Sequence, residues 1–191
     1  MNLKFIESAL KQFLYYKQLG DKTFHQLSTT DFFWQPSSES NSIAIIVKHM
    51  HGNMLSRWTD IFTTDGEKEW RNRDVEFETD GTTAELVLQQ WEQGWDRLFK
   101  TMNSLTEMDL ERIVYIRAEP HTVLEAINRQ LAHYPYHVGQ LVFIGKMLMN
   151  DKWESLSIPK NTSSTFNREI IKKKIEPAKE GDSFLTDTRD A

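Results

Sequence analysis

The sequence predicts an all-α protein: a four-helix bundle with a long loop between helices 2 and 3 and a short extended segment before helix 4. Three observations lead there. Four stretches repeat apolar residues at the three-to-four-residue spacing of an amphipathic helix. The segments between them are polar and lack that period. With 191 residues and 39% hydrophobic content, the chain can enclose one good-sized core, most economically as a single domain.

The first helix is expected from Asn2 to about Leu27, on Leu3, Phe5, Ile6, Leu10, Phe13, Leu14, Tyr16 and Leu19. Gly20 and Asp21 mark a point of interruption, and His25 at its polar end reads as a surface residue. Thr29 to Asn41 reads as a loop, because Pro36 and the Ser-Ser-Glu-Ser-Asn run offer turn chemistry without periodicity. Phe32, Phe33 and Trp34 are expected to fold back onto the core.

Asn41 or Ser42 caps a second helix carrying Ile43, Ile46, Val47, Met50, Met54, Trp58 and Ile61. Gly52 within it suggests the approach of another backbone. Thr63 to Gly81 is a charged connection, long enough to be expected as a lid or a ligand-facing loop. A third helix runs from about Thr83 to Asn103, with Trp91 and Trp95 expected in the core.

Ile113, Val114 and Ile116 favour a short extended segment within Asp109 to Glu119. The last helix is expected from about His121 to Met149, with Thr122 assisting its cap and Pro135 producing a local kink. Gly139 and Gly145 on it suggest close backbone packing. The bundle thus occupies residues 1–160, and residues 161–191 form a polar tail with local helix around Phe166 to Ile175.

Composition excludes several functions. The net charge is −5 with mixed signs, which argues against nucleic acid as a partner. No apolar run is long enough for a membrane span, and the first residues lack a secretory h-region, so a cytoplasmic protein is expected. The chain has no cysteine, which removes disulfides, thiolate ligands and any protein thiol nucleophile. Thiol chemistry would require a thiol carried by a small molecule.

His133 and His137 stand four residues apart on the last helix, the spacing at which two imidazoles share one face and one cation. Tyr134 occupies the position of the catalytic Glu in an H-E-x-x-H protease motif, so that chemistry is excluded. A third ligand is expected from the second helix, where His49 and His51 flank the apolar stripe on opposite sides. Periodicity leaves both open.

The chain resembles the DinB-like (YfiT-type) superfamily of metal-binding four-helix bundles. The resemblance rests on Ser42-Ile43 leading into Val47-Lys48-His49-Met50, and on Ala132-His133-Tyr134-Pro135-Tyr136-His137-Val138-Gly139-Gln140-Leu141. Gly52-Asn53-Met54-Leu55-Ser56-Arg57-Trp58 and Trp153-Glu154-Ser155-Leu156-Ser157-Ile158-Pro159 place it near a subgroup of uncharacterised small bacterial proteins. The resemblance covers most of residues 1–160 and implies one divalent metal ion, zinc or nickel foremost, held by His49, His133 and His137. It also implies a homodimer.

Three imidazoles leave coordination positions open, and characterised relatives include transferases that use bacillithiol-type thiols. The expected function is therefore metal-dependent transfer of a low-molecular-weight thiol to an electrophile. The alternatives are a metal-dependent hydrolase and a non-catalytic metal-binding or stress-response protein. Hydrolysis wants a carboxylate base, and none is evident beside the histidines: Glu125 lies two turns before His133 and Asp60 three turns beyond His49, so either approaches only through the fold. Arg57 is a candidate for binding a carboxylate on the cosubstrate, as are Arg71 and Arg73, and Tyr136 is a candidate substrate contact.

Overall fold

The computed structural model describes residues 3–78 and 81–175. These residues are mostly helical, with one small antiparallel sheet. The chain divides into two compact units, Met1–Asn150 and Asp151–Ala191. In the second, Ser163–Ile175 forms helix α5, the stretch expected to be locally helical. Residues 176–191 of the expected tail lie outside the described residues, as do Asn2 and part of the long loop at 79–80.

In the first unit, α1 (Leu3–Phe24) and α4 (Val123–Met149) pack on one another, as do α2 (Ile43–Trp58) and α3 (Ala84–Ser104). Further α2·α4 and α1·α3 contacts close one core. Phe13, Trp95, Tyr134, Leu98 and Leu141 are fully buried at its centre. Each such side chain contributes about 1.5–3 kcal/mol over an exposed one. Trp91 and Trp95 are therefore core residues, in edge contact with each other at 5.4 Å.

Helix α1 runs through Gly20 without interruption, because Gly20 leaves room for the Trp91 ring, whose indole N–H donates to Asp21 at 2.7 Å. His25 is exposed. Residues Thr29–Phe33 form a single 3-10 turn that buries Phe32, with Phe33 and Trp34 against the core. Ser42 caps α2, its hydroxyl accepting from the Ile45 N–H at 3.2 Å. Thr83 caps α3 in the same manner.

The extended segment is one arm of a hairpin: β1 (Ile113–Ile116) pairs antiparallel with β2 (Glu119–Thr122), Val114 opposite His121. Its two turn residues, Arg117 and Ala118, both have positive φ, at 56° and 61°. Neither is glycine, so the turn is strained unless it is held. The Asp65 carboxylate holds it, accepting from the N–H of Arg117 at 2.8 Å and of Ala118 at 2.7 Å. Gly66 N–H donates to the Tyr115 carbonyl at 2.7 Å, so the long loop after α2 is stitched to the hairpin.

Thr122 and Glu125 form a reciprocal capping box, and α4 starts there and continues unbroken through Pro135 for 27 residues, about 40 Å. Gly139 corrects the sequence reading, since a Cβ there would meet open space rather than a neighbouring backbone. No helix among the described residues is long and apolar enough to cross a membrane.

Candidate metal centre

Helices α2 and α4 bring His49, His133 and His137 together, with one ring nitrogen of each within 4.8 Å of the others. His49 is buried and the other two are half-buried. Ring centroids lie 4.7 Å apart for His133 and His137, 5.0 Å for His49 and His137, and 5.5 Å for His49 and His133. His51 is not part of the group. It turns toward α3, where it hydrogen-bonds Gln93, and burial pushes its imidazole below the usual pKa.

Each of the three histidines has its Nδ1 on an oxygen. His49 Nδ1 lies 2.9 Å from Glu76 Oε2, His133 Nδ1 3.2 Å from Gln130 Oε1, and His137 Nδ1 2.8 Å from Gln140 Oε1. A carboxylate and an amide carbonyl only accept, so Nδ1 carries the proton in all three rings and the Nε2 lone pairs are left free. The Nε2 atoms of His133 and His137 then face each other at 3.0 Å. Two lone pairs at that distance repel unless a cation or a proton lies between them.

These residues fit a metal ion. Two nitrogens on one tetrahedral zinc, each about 2.0–2.1 Å from the ion, stand about 3.4 Å apart, within the range seen here. Oxygen acceptors on the far ring nitrogens are the usual support of histidine ligands, fixing tautomer and ring angle. Burial, then the neighbouring His137, His49, Arg57 and Arg129, lower His133 to about 3. Burial also lowers His137. Both rings are thus neutral at pH 7, the form that ligates a cation.

Glu76 comes from the long loop, on a 3-10 turn at Asp74–Phe77. Arg71 grips it with two hydrogen bonds, Nε to Oε1 at 2.7 Å and Nη2 to Oε2 at 2.9 Å. Burial works to raise the Glu76 carboxyl, but the bonds from His49 and Arg71 outweigh it and hold the group below its usual pKa. Phe77 lies beside the His49 ring at 5.5 Å. The loop thus faces the site, and Gly52 acquires its reason: the Glu76 carboxylate, rather than another backbone, occupies the space a Cβ would fill.

A cavity of about 230 Å³ opens beside the histidines. Arg57 lines it, buried to 7% exposure, with Nη2 on Glu67 at 3.2 Å and Nη1 on the Gly66 carbonyl. Arg71 and Arg73 line it too, so the structure gathers all three arginines singled out by sequence. Tyr136 is absent from that lining; it is 63% exposed, edge-on to His137 at 5.1 Å. Tyr134 is fully buried, its hydroxyl donating to Asn53 and accepting from Trp58, each at 3.0 Å.

Neither carboxylate considered from the sequence reaches the site. Glu125 is spent on the cap of α4, and Asp60 sits with φ 49° just past α2. Glu76, Gln130 and Gln140 were missed. For the two glutamines a signal existed, since they stand three residues from His133 and His137 and so share their helix face. Glu76, 27 residues from His49 in a loop without periodicity, left none.

No curated protein and no solved structure matches this chain. The model of one family does, over residues 1–162, a span that holds α1 to α4, all three histidines and each of their oxygen partners. The chain accordingly belongs to the DUF1572 family, described as proteins of unknown function.

Proposed function

We propose that this protein is a metal-dependent enzyme of the DinB-like four-helix-bundle type, which transfers a low-molecular-weight thiol to an electrophile. His49, His133 and His137 would hold the divalent ion, zinc or nickel foremost. The carrying observation is geometric: the three Nδ1 atoms lie on oxygens of Glu76, Gln130 and Gln140, the arrangement that commits Nδ1 as donor and turns Nε2 of each ring to a ligand. When bound, such an ion supplies Lewis acidity that favours the thiolate form of a thiol beside it.

The protein's own groups favour transfer over hydrolysis. Many metal hydrolases use a carboxylate as the general base that takes a proton from water. Among the described residues no Asp or Glu lines the cavity, and Glu76, the carboxylate nearest the histidines, is committed to His49 and Arg71. Thiol transfer has no such need: the S–H proton leaves to solvent, sulfur bonds to the electrophilic carbon, and the leaving group departs with its electron pair. The chain has no cysteine to compete for the electrophile. Arg57 and Arg71 are set rigidly enough by Glu67 and Glu76 to orient the thiol's own charged groups.

The test is conjugation of a small thiol with monochlorobimane. Zinc- or nickel-loaded protein is expected to accelerate it, with the acceleration lost in His133→Ala. Equal rates with and without metal overturn the transferase reading, and ester cleavage without thiol would favour the hydrolase.

A further inference from the structure

We infer that the cavity beside the histidines is an anion-binding subsite, which takes a carboxylate or phosphate group of the substrate while the substrate's reacting end lies at His49 and His133. Five arginines line it: Arg57, Arg71, Arg73, Arg117 and Arg129. Among the described residues, only two carboxylates, Glu67 and Glu76, are bonded to any of them at the cavity, which leaves an excess of three positive charges. The protein as a whole carries −5, so this concentration runs against its overall charge.

The five divide by role. Arg57 and Arg71 are buried and pinned by the two glutamates, which makes them a fixed wall. That wall is still incompletely bonded: among the described residues, Arg57 Nε and Arg71 Nη1 are buried polar atoms without a hydrogen-bond partner, although Arg71 Nη1 has Glu67 Oε1 at 3.6 Å as an ion-pair neighbour. A buried N–H left without an acceptor is destabilising, and more so on a charged group, so an incoming anion gains by supplying one. Arg73 and Arg129 are exposed at the rim and pair with no carboxylate among the described residues. Arg117 reaches in from the hairpin turn, where its Nε donates to Glu67 at 3.0 Å.

The fit is chemical as well as electrostatic. Guanidinium forks match the two oxygens of a carboxylate or phosphate, and a concave site lined by one sign of charge concentrates the opposite sign. The volume of about 230 Å³ is far above the roughly 10–15 Å³ needed for a single water on that measure. Asn53 and Gln130 add neutral polar groups to the lining. The Asp65 clamp on the hairpin turn keeps Arg117 at the cavity edge.

The position of the reacting end rests on the metal reading above, whereas the anion contacts rest on the arginines. Titration calorimetry with succinate and with inorganic phosphate, on zinc-loaded and metal-free full-length protein, separates the two. Wild type is expected to bind at least one anion in both forms, and Arg73→Gln and Arg129→Gln to weaken it about tenfold or more. Both arginines are exposed, so folding is expected to survive and is checked by circular dichroism. Whichever probe binds more tightly identifies the group. Binding only to zinc-loaded protein, equal in the variants, would mean contact with the metal alone and overturn the subsite, as would no binding by wild type. Zinc content of the same samples is read separately, so failure of metal uptake with anion binding intact overturns the metal reading and leaves the subsite standing.

Discussion

Glu76 accepts the Nδ1 proton of His49 at 2.9 Å while its other oxygen takes Arg71 Nε at 2.7 Å, so one loop carboxylate both orients a candidate ligand and neutralises a buried guanidinium. Glu76→Gln keeps a carbonyl acceptor but loses the charge. Zinc affinity, read by competition with a chromophoric chelator, is expected to fall about 10–100-fold. An unchanged affinity would mean that Glu76 only closes the loop.

Gly52→Ala probes the same contact from α2, the helix that also carries His49. Alanine is the better helix former by about 1 kcal/mol, yet its Cβ would displace the Glu76 carboxylate. Zinc affinity is expected to fall in the direction of Glu76→Gln even though no polar group has been removed. Stabilisation with full affinity would show that the loop does not press on α2.

Tyr134 ties the two ligand-bearing helices together, between Trp58 and Asn53 on α2. Burial pushes its phenol above the usual range, so it stays protonated and donates at any working pH. Tyr134→Phe leaves a buried indole N–H and an amide oxygen without this partner. Urea unfolding is expected to show a loss of about 1–3 kcal/mol with an unchanged slope. No loss would mean that the network adds nothing to the packing of the ring.

Asp109 gives a pH signature away from the site. The Arg112 side chain first, then the Thr106 N–H and hydroxyl, lower its carboxyl from 3.8 to about 2. With the folded value below the unfolded one, its contribution is present above the unfolded pKa and lost as pH falls through the folded one. The stability gap between wild type and Asp109→Asn is expected to hold near neutrality, shrink between about pH 4 and pH 2, and close below that. Urea melts across that range measure it, and a gap independent of pH would contradict the assignment.

Where sequence and structure agree, periodicity carried the information. The four long helices have wide apolar stripes, and caps such as Ser42 and Thr122 marked their starts within a residue or two. The second hairpin strand was hidden because Pro120 and His121 show no apolar alternation and the turn uses Arg117 and Ala118 in place of glycine. What permits that turn is Asp65, some fifty residues earlier, a tertiary contact with no local trace.

The site divides in the same way. His133 and His137 are local to one helix and were legible as a pair, whereas the choice of His49 over His51 needed the resemblance. In the structure that choice corresponds to His49 meeting Glu76 and His51 meeting Gln93. The arginine cavity was legible only in part, because its members come from α2, the long loop, the hairpin turn and α4. Arg57, Arg71 and Arg73 stood out as candidate carboxylate contacts, Arg117 and Arg129 did not, and only the fold makes the five one wall.

The account stands on whether the three histidines hold one ion. Metal content after equilibration with zinc and exhaustive dialysis, measured for wild type beside His49→Ala and His133→Ala, tests it most directly. About one zinc per wild-type chain, and almost none in either variant, is the predicted result. No retained divalent ion in wild type, or equal retention in all three proteins, would contradict it.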